Sequence, residues 1–152
     1  MTHTTGFVSV PASAFTGRQD DGVGGYDGNE TGTARFFQVK MFAPVHLPHG
    51  ATVTSFRGGG RAFFQRSIRF TLRRNEPQQA NVDMAAVRTT LDGTSFEFVD
   101  TTDIQSGGVD NGRFNYYIVA EIEDPNVTPP TKPICPDGEC RVGFCRIGYT
   151  LA

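Results

Sequence analysis

The chain has 152 residues, room for one domain with a sizeable core and little room for a second. Its formal net charge of -2 gives no general electrostatic reason to bind nucleic acid or an anionic bilayer. No run approaches the ~18 consecutive apolar residues of a membrane span, and the polar start Met1-Thr2-His3-Thr4-Thr5 lacks the basic and apolar regions of an export signal. Either an export signal has been removed, or the protein leaves by another route, or it stays inside. With 18 Gly, 13 Phe, 9 Pro and no Trp, apolar runs are repeatedly cut by turn residues, which favours many short strands over helices.

In chain order, residues 6–15 predict a first strand, with Phe7, Ser9 and Pro11 on one face and Val8 and Val10 on the other. Pro11 cannot donate to a central ladder, so this is an edge strand, and an edge invites a partner. Residues 18–32, with Asp20, Asp21, Asp27 and several glycines, read as a long exposed loop. Residues 34–43 predict a strand with Phe36 on one face and Phe37 on the other. A corner, Pro44-Val45-His46-Leu47-Pro48-His49-Gly50, leads into a strand over 51–56, after which Gly58-Gly59-Gly60 is expected to break the ladder. Residues 63–73 give the clearest strand, Ile68, Phe70 and Leu72 inward and Arg69, Thr71 and Arg73 outward. Further strands are predicted over 82–89, 95–99 and 114–123, although 83–88 also fits a short helix. In the last of these Tyr116, Ile118, Ala120 and Ile122 share a face. A Pro-rich stretch, 124–136, is expected to cross between sheets before a final strand over 141–151, with Ile147, Tyr149 and Leu151 inward. About eight short strands with long corners predict an all-β, antiparallel β-sandwich of jelly-roll or Greek-key type, filling residues 1–152 as one domain.

The three cysteines crowd the C-terminal part as Cys135, Cys140 and Cys145. Pro136-Asp137-Gly138-Glu139 is good turn chemistry, so Cys135 and Cys140 are placed to bridge across a short hairpin. Cys145 falls in phase with Ile147 and is expected as a buried core thiol.

Four segments carry a resemblance. They are Val8-Ser9-Val10-Pro11-Ala12-Ser13-Ala14-Phe15, the stretch from Ala43 to Thr54, Val109-Asp110-Asn111 ahead of Tyr116-Tyr117, and Ile147-Gly148-Tyr149-Thr150. Together they resemble a domain that recurs in bacterial secreted and surface proteins, mostly uncharacterised. The resemblance spans nearly the whole chain and implies a β-sandwich and an extracellular or cell-surface location. It carries no catalytic motif. The Arg-rich middle and the cysteine cluster depart from it.

Among candidate sites, His46 and His49 have a spacing that permits a shared metal, but no Cys, Asp or Glu nearby completes a tetrahedral set. Asp20, Asp21 and Asp27 offer hard oxygen ligands for calcium without the spacing of a defined calcium loop. No cofactor is expected, calcium on these aspartates being the alternative. Asn29-Glu30-Thr31 and Asn126-Val127-Thr128 fit the glycosylation pattern. Catalytic motifs such as Gly-x-Ser-x-Gly, the P-loop and His-Glu-x-x-His are absent, and Glu97, Glu121 and Glu123 alternate outward from Phe96, Phe98 and Ile122, so no enzyme is expected.

Two features point to self-association. The pairs Phe36-Phe37 and Phe63-Phe64 put an aromatic on both faces of a strand, where a sandwich normally shows water one polar face. Arg57, Arg61, Arg66, Arg69, Arg73 and Arg74 fall in a stretch without an acid, while carboxylates gather elsewhere, as a head-to-tail contact between copies requires. The alternatives for these arginines are cross-strand pairing inside the chain, with Arg69 and Arg73 opposite outward carboxylates, and binding of a polyanion. The expected function is thus a structural subunit of a filament or surface layer. Its contacts would include Phe37, Phe63, Arg57, Arg61, Arg69, Arg73, Val8 and Val10, and residues 1–15 would exchange as an arm with a neighbour. A carbohydrate-binding or adhesion module is the rival function, with Tyr26, Tyr116, Tyr117 and Tyr149 offered to sugar rings.

Overall fold

The period-2 alternation read from the sequence becomes two antiparallel sheets facing each other. A computed structural model of the chain describes residues 3–17, 26–27, 33–35, 40–62, 66–90, 95–123 and 140–152. The strands are β1 (Thr4–Pro11), β2 (Tyr26–Asp27), β3 (Thr33–Arg35), β4 (Lys40–Val45), β5 (Thr52–Arg61), β6 (Ser67–Asn75), β7 (Val82–Arg88), β8 (Glu97–Thr101), β9 (Asn115–Glu123) and β10 (Arg141–Leu151). One turn of 3-10 helix, Ala12–Ala14, follows β1.

The first sheet runs β2-β3-β10-β5-β8, with β1 beside β3 on the same edge of β10. The second runs β4-β9-β6-β7. Apart from the β6–β7 hairpin, each step from β3 to β10 changes sheet, which is the jelly-roll order. The core lies between the sheets, with Ile68, Phe70 and Leu72 of β6, Ile118 and Ile122 of β9, Phe56 of β5 and Ile147 of β10 fully buried. Tyr149 and Leu151 pack against this cluster half-buried. The inward faces read from β6, β9 and β10 hold. No helix among the described residues is long and apolar enough to cross a membrane.

Several expectations are corrected. Residues 34–43 do not form one strand: β3 ends at Arg35 in the first sheet and β4 begins at Lys40 in the second. Of the two readings of residues 83–88 the strand holds, as part of β7. The glycine triplet does not break its ladder, because β5 continues through Gly58, Gly59 and Gly60, paired with Val99, Phe98 and Glu97 of β8. The missing side chains of Gly58 and Gly60 leave space that Phe70 fills from the opposite sheet. A Cβ on Gly58 would stand 2.6 Å from the Phe70 ring, and one on Gly60 2.7 Å from the Arg141 carbonyl and 2.9 Å from Ile68 Cδ1. Thr71, read as outward, does face away from the core but is buried in register between Ala86 and Val119.

Among the described residues β1 pairs with β10 alone, from Thr4 opposite Leu151 to Pro11 opposite Phe144. That pairing seats it in its own chain's sheet. Val10 is 3% exposed and Val8 packs half-buried on the core, so these two residues are core and not contact surface. Cys145 is a free, fully buried thiol, and burial pushes its pKa up, keeping it protonated. Cys140 is likewise buried. Its expected partner Cys135 lies outside the described residues, as do Asp20, Asp21, Phe37, Phe63 and the stretch 124–136.

Candidate functional site

The corner carrying most of the resembling residues is a structural clasp. Gly50, at φ 78°, turns the chain into β5. Residues 50–53 then ladder with 107–109: the Gly50 N–H donates to the Val109 carbonyl at 2.9 Å, the Val109 N–H to Ala51 at 2.8 Å and the Val53 N–H to Gly107 at 2.9 Å. The Asn111 side-chain amide donates to the Leu47 carbonyl at 2.9 Å, and its backbone N–H donates to His49 Nδ1 at 3.2 Å. Gly112 N–H donates to the Asp110 carboxylate at 3.0 Å, an Asx turn, and Asp110 N–H donates to the Tyr116 hydroxyl at 2.8 Å. The histidine motif and the Val-Asp-Asn motif therefore hold one loop to another. No group of three metal-ligating side chains occurs among the described residues.

The two outer faces of the sandwich differ in chemistry. On the second sheet, strands carry complementary charges: Arg73 Nε meets Asp83 at 2.5 Å, Arg88 Nε meets Glu123 at 2.5 Å, Lys40 meets Glu121 at 3.3 Å, and Arg69 lies 3.9 Å from Glu123. Arg69 stands directly opposite Glu121, and Arg73 opposite Asp83, in register. Arg74 stacks on Phe114, its guanidinium carbon 4.3 Å from the ring centre. Much of the acid-free arginine stretch is thus met by partners within the chain, which removes much of the charge argument for contacts between copies. The three glutamates do not converge: Glu121 and Glu123 each face a cation, while Glu97, on the other sheet, accepts hydrogen bonds from the Thr90 backbone and hydroxyl at 2.7 Å.

The first sheet instead turns phenylalanines to water. Phe7 of β1 is 67% exposed, Phe98 of β8 45% and Phe96, just before β8, 36%. Phe144 of β10 is half-buried and packs against Phe98, ring centres 5.0 Å apart. Register explains the placement. Phe7 lies opposite Gly148, and Phe98 opposite Gly59. A Cβ on Gly59 would run into the Phe98 ring, one on Gly143 would come within 3.1 Å of Phe96, and one on Gly148 within 3.4 Å of Phe7. The rings therefore lie close over glycine backbone, as aromatics do when they cover a glycine in a sheet. From β1 across β10 and β5 to β8 is three strand spacings, about 14 Å.

Arginines interleave with the rings. The Arg146 guanidinium sits 5.7 Å from the ring centres of both Phe7 and Phe144, and that of Arg61 sits 5.7 Å from Phe96. Arg57 grips Asp100 with Nε at 2.6 Å and Nη2 at 3.0 Å. That two-point bond, with added attraction from Arg146, holds the Asp100 carboxyl below its ordinary value.

Comparison with known proteins bears on the fold. A crystal structure of the CBM36-1 domain of a multidomain xylanase, from the hindgut metagenome of Trinervitermes trinervoides, is similar over 93% of this chain and 96% of that one. The TM-score is 0.54 and the sequence identity 15%. The chain shares its sandwich with a carbohydrate-binding module. No protein-family model and no curated protein matches the sequence. At this identity the likeness concerns the fold, and the chemistry rests on this chain's own surface.

The tyrosines offered to sugar rings are placed otherwise than expected. Tyr116 is 5% exposed and its hydroxyl is committed to Asp110. Tyr149 is half-buried over Gly6, and Tyr117 packs near Phe42, 6.4 Å between ring centres, on the charged sheet. Tyr26 and Asp27 are described by their backbone pairing with β3 alone. Phe96 and Phe98 had been read as inward and are in fact outward, with Val99 taking the core side of β8.

Proposed function

We propose that this chain is a non-catalytic carbohydrate-binding module that takes extended glycans on the outer face of its first sheet. The single observation that carries this is the row of exposed phenylalanines lying across glycine backbone from β1 to β8. An exposed ring offers an apolar face to the C–H face of a pyranose, and flanking charged groups give hydroxyls donors and acceptors. Here Arg57, Asp100 and Arg146 supply them. The shared fold with a carbohydrate-binding module supports the reading. An extracellular location, where polysaccharides are met, and a Cys135–Cys140 bridge, which such a location favours, belong to the same proposal.

The test is a panel of soluble and insoluble polysaccharides read by affinity electrophoresis and pull-down. The wild-type chain is expected to be retained by at least one glycan. Phe98→Ala should weaken that binding about tenfold or more, since a few aromatic anchors carry most of the binding energy. Tyr117→Ala, on the other sheet, should bind like wild type. Retention that survives Phe98→Ala but is lost in Tyr117→Ala would place the site elsewhere.

A further inference from the structure

The aromatic face holds one cation that the described residues leave unmatched. Asp100 is matched by Arg57 through two hydrogen bonds. Arg146 stands two strands from Asp100, close enough for its charge to act on that carboxyl, yet it forms no hydrogen bond and no ion pair within 4 Å among the described residues. Its Nε is buried without an acceptor. Between Phe7 and Phe144 the guanidinium is held by two rings, so little side-chain freedom remains to be lost when it takes a partner. It lies in the middle of the row, where a chain crossing from β1 to β8 must pass.

A planar, pre-positioned guanidinium with unused donors is matched by a planar carboxylate, to which it gives two parallel N–H···O bonds. The geometry points to a uronate-containing, acidic polysaccharide as the ligand, its carboxylate on Arg146 and its neighbouring sugar rings on Phe7, Phe144 and Phe98. This inference rests on the glycan-binding reading and adds to it the charge of the glycan. Asp100 does not oppose it, because Arg57 already matches its charge.

The test compares hexagalacturonate, neutral xylohexaose and dextran sulfate on the wild-type chain, Arg146→Gln and Arg146→Lys, with thermal melts to show that each variant is folded. Wild type is expected to bind hexagalacturonate about tenfold or more tighter than xylohexaose, because hydrogen bonds to charged groups are the strong ones. Arg146→Gln should abolish the preference for the acidic ligand, lowering hexagalacturonate binding far more than xylohexaose binding. Arg146→Lys, a point charge without the fork, should restore part of the preference. Equal binding of the two hexasaccharides by wild type, or a preference that persists in Arg146→Gln, would overturn the carboxylate assignment and leave glycan binding standing. Dextran sulfate bound in preference to hexagalacturonate would overturn it in favour of a sulfated ligand. Failure to bind any of the three would overturn this inference, and the broader panel then shows whether the glycan reading falls with it.

Discussion

Phe70→Ala is expected to destabilise the chain by about 3–5 kcal/mol, a large part of a domain's total stability. Phe70 is fully buried on β6, and its ring reaches across the sandwich to lie over Gly58 and Gly60 of β5. Removing it deletes apolar contacts and opens a cavity that two glycines cannot collapse to fill, because neither has a side chain to move into it. Urea unfolding followed by far-UV circular dichroism would show the midpoint falling with little change in slope. A loss below about 1 kcal/mol would mean that the sheets are not joined through this ring.

The converse substitution, Gly60→Val, should be nearly as damaging, at about 3 kcal/mol, the upper end for overpacking a core. The nearest obstacle to a side chain there is the Arg141 carbonyl, part of the β10 ladder beside β5, so repacking cannot relieve the clash. Gly58 differs, since all three of its nearest atoms belong to the Phe70 side chain. In the Phe70→Ala background, Gly58→Val should therefore cost much less than it does alone, and Gly60→Val should remain costly. Thermal unfolding of the three single and two double variants checks this, and a Gly60→Val protein as stable as wild type would contradict the packing described for β5.

Strand content, the buried faces of β6, β9 and β10 and the buried Cys145 were all legible in the sequence, because alternation there is clean and each polar neighbour has an obvious outward role. The jelly-roll order was legible only as a class. Local alternation reports that two faces exist, and which one meets the core is decided by pairing across strands. Phe96 and Phe98 show the difficulty: beside Glu97 they look like the apolar phase, yet register puts Phe98 over Gly59 on the outside, with Val99 inward. The triplet Gly58-Gly59-Gly60 held the missing signal. A glycine-rich strand in a sheet leaves backbone to be covered, and rings from neighbouring strands are the means of covering it. Phe144 and Arg146, out of phase with Cys145 and Ile147, carried the same message.

The resembling segments proved most informative about architecture. Leu47, His49, Asp110, Asn111 and Tyr116 meet at one clasp between the β4–β5 and β8–β9 connections, a role that fixes residue types without implying a ligand. Cross-strand pairing of Arg69 and Arg73 with outward carboxylates was legible as one reading of the arginine stretch, but the particular partners, Asp83 for Arg73 and Asp100 for Arg57, depend on registers that no local pattern reveals.

The most direct test of the central claim is a titration of the uniformly labelled protein with its tightest-binding hexasaccharide, following ring signals by nuclear magnetic resonance. Saturable shifts are expected at Phe7, Phe96, Phe98 and Phe144, with Tyr117 and Phe42 unmoved. Shifts confined to Tyr117, Phe42 and the charged face of the second sheet, or to the clasp around Asp110, would contradict that claim.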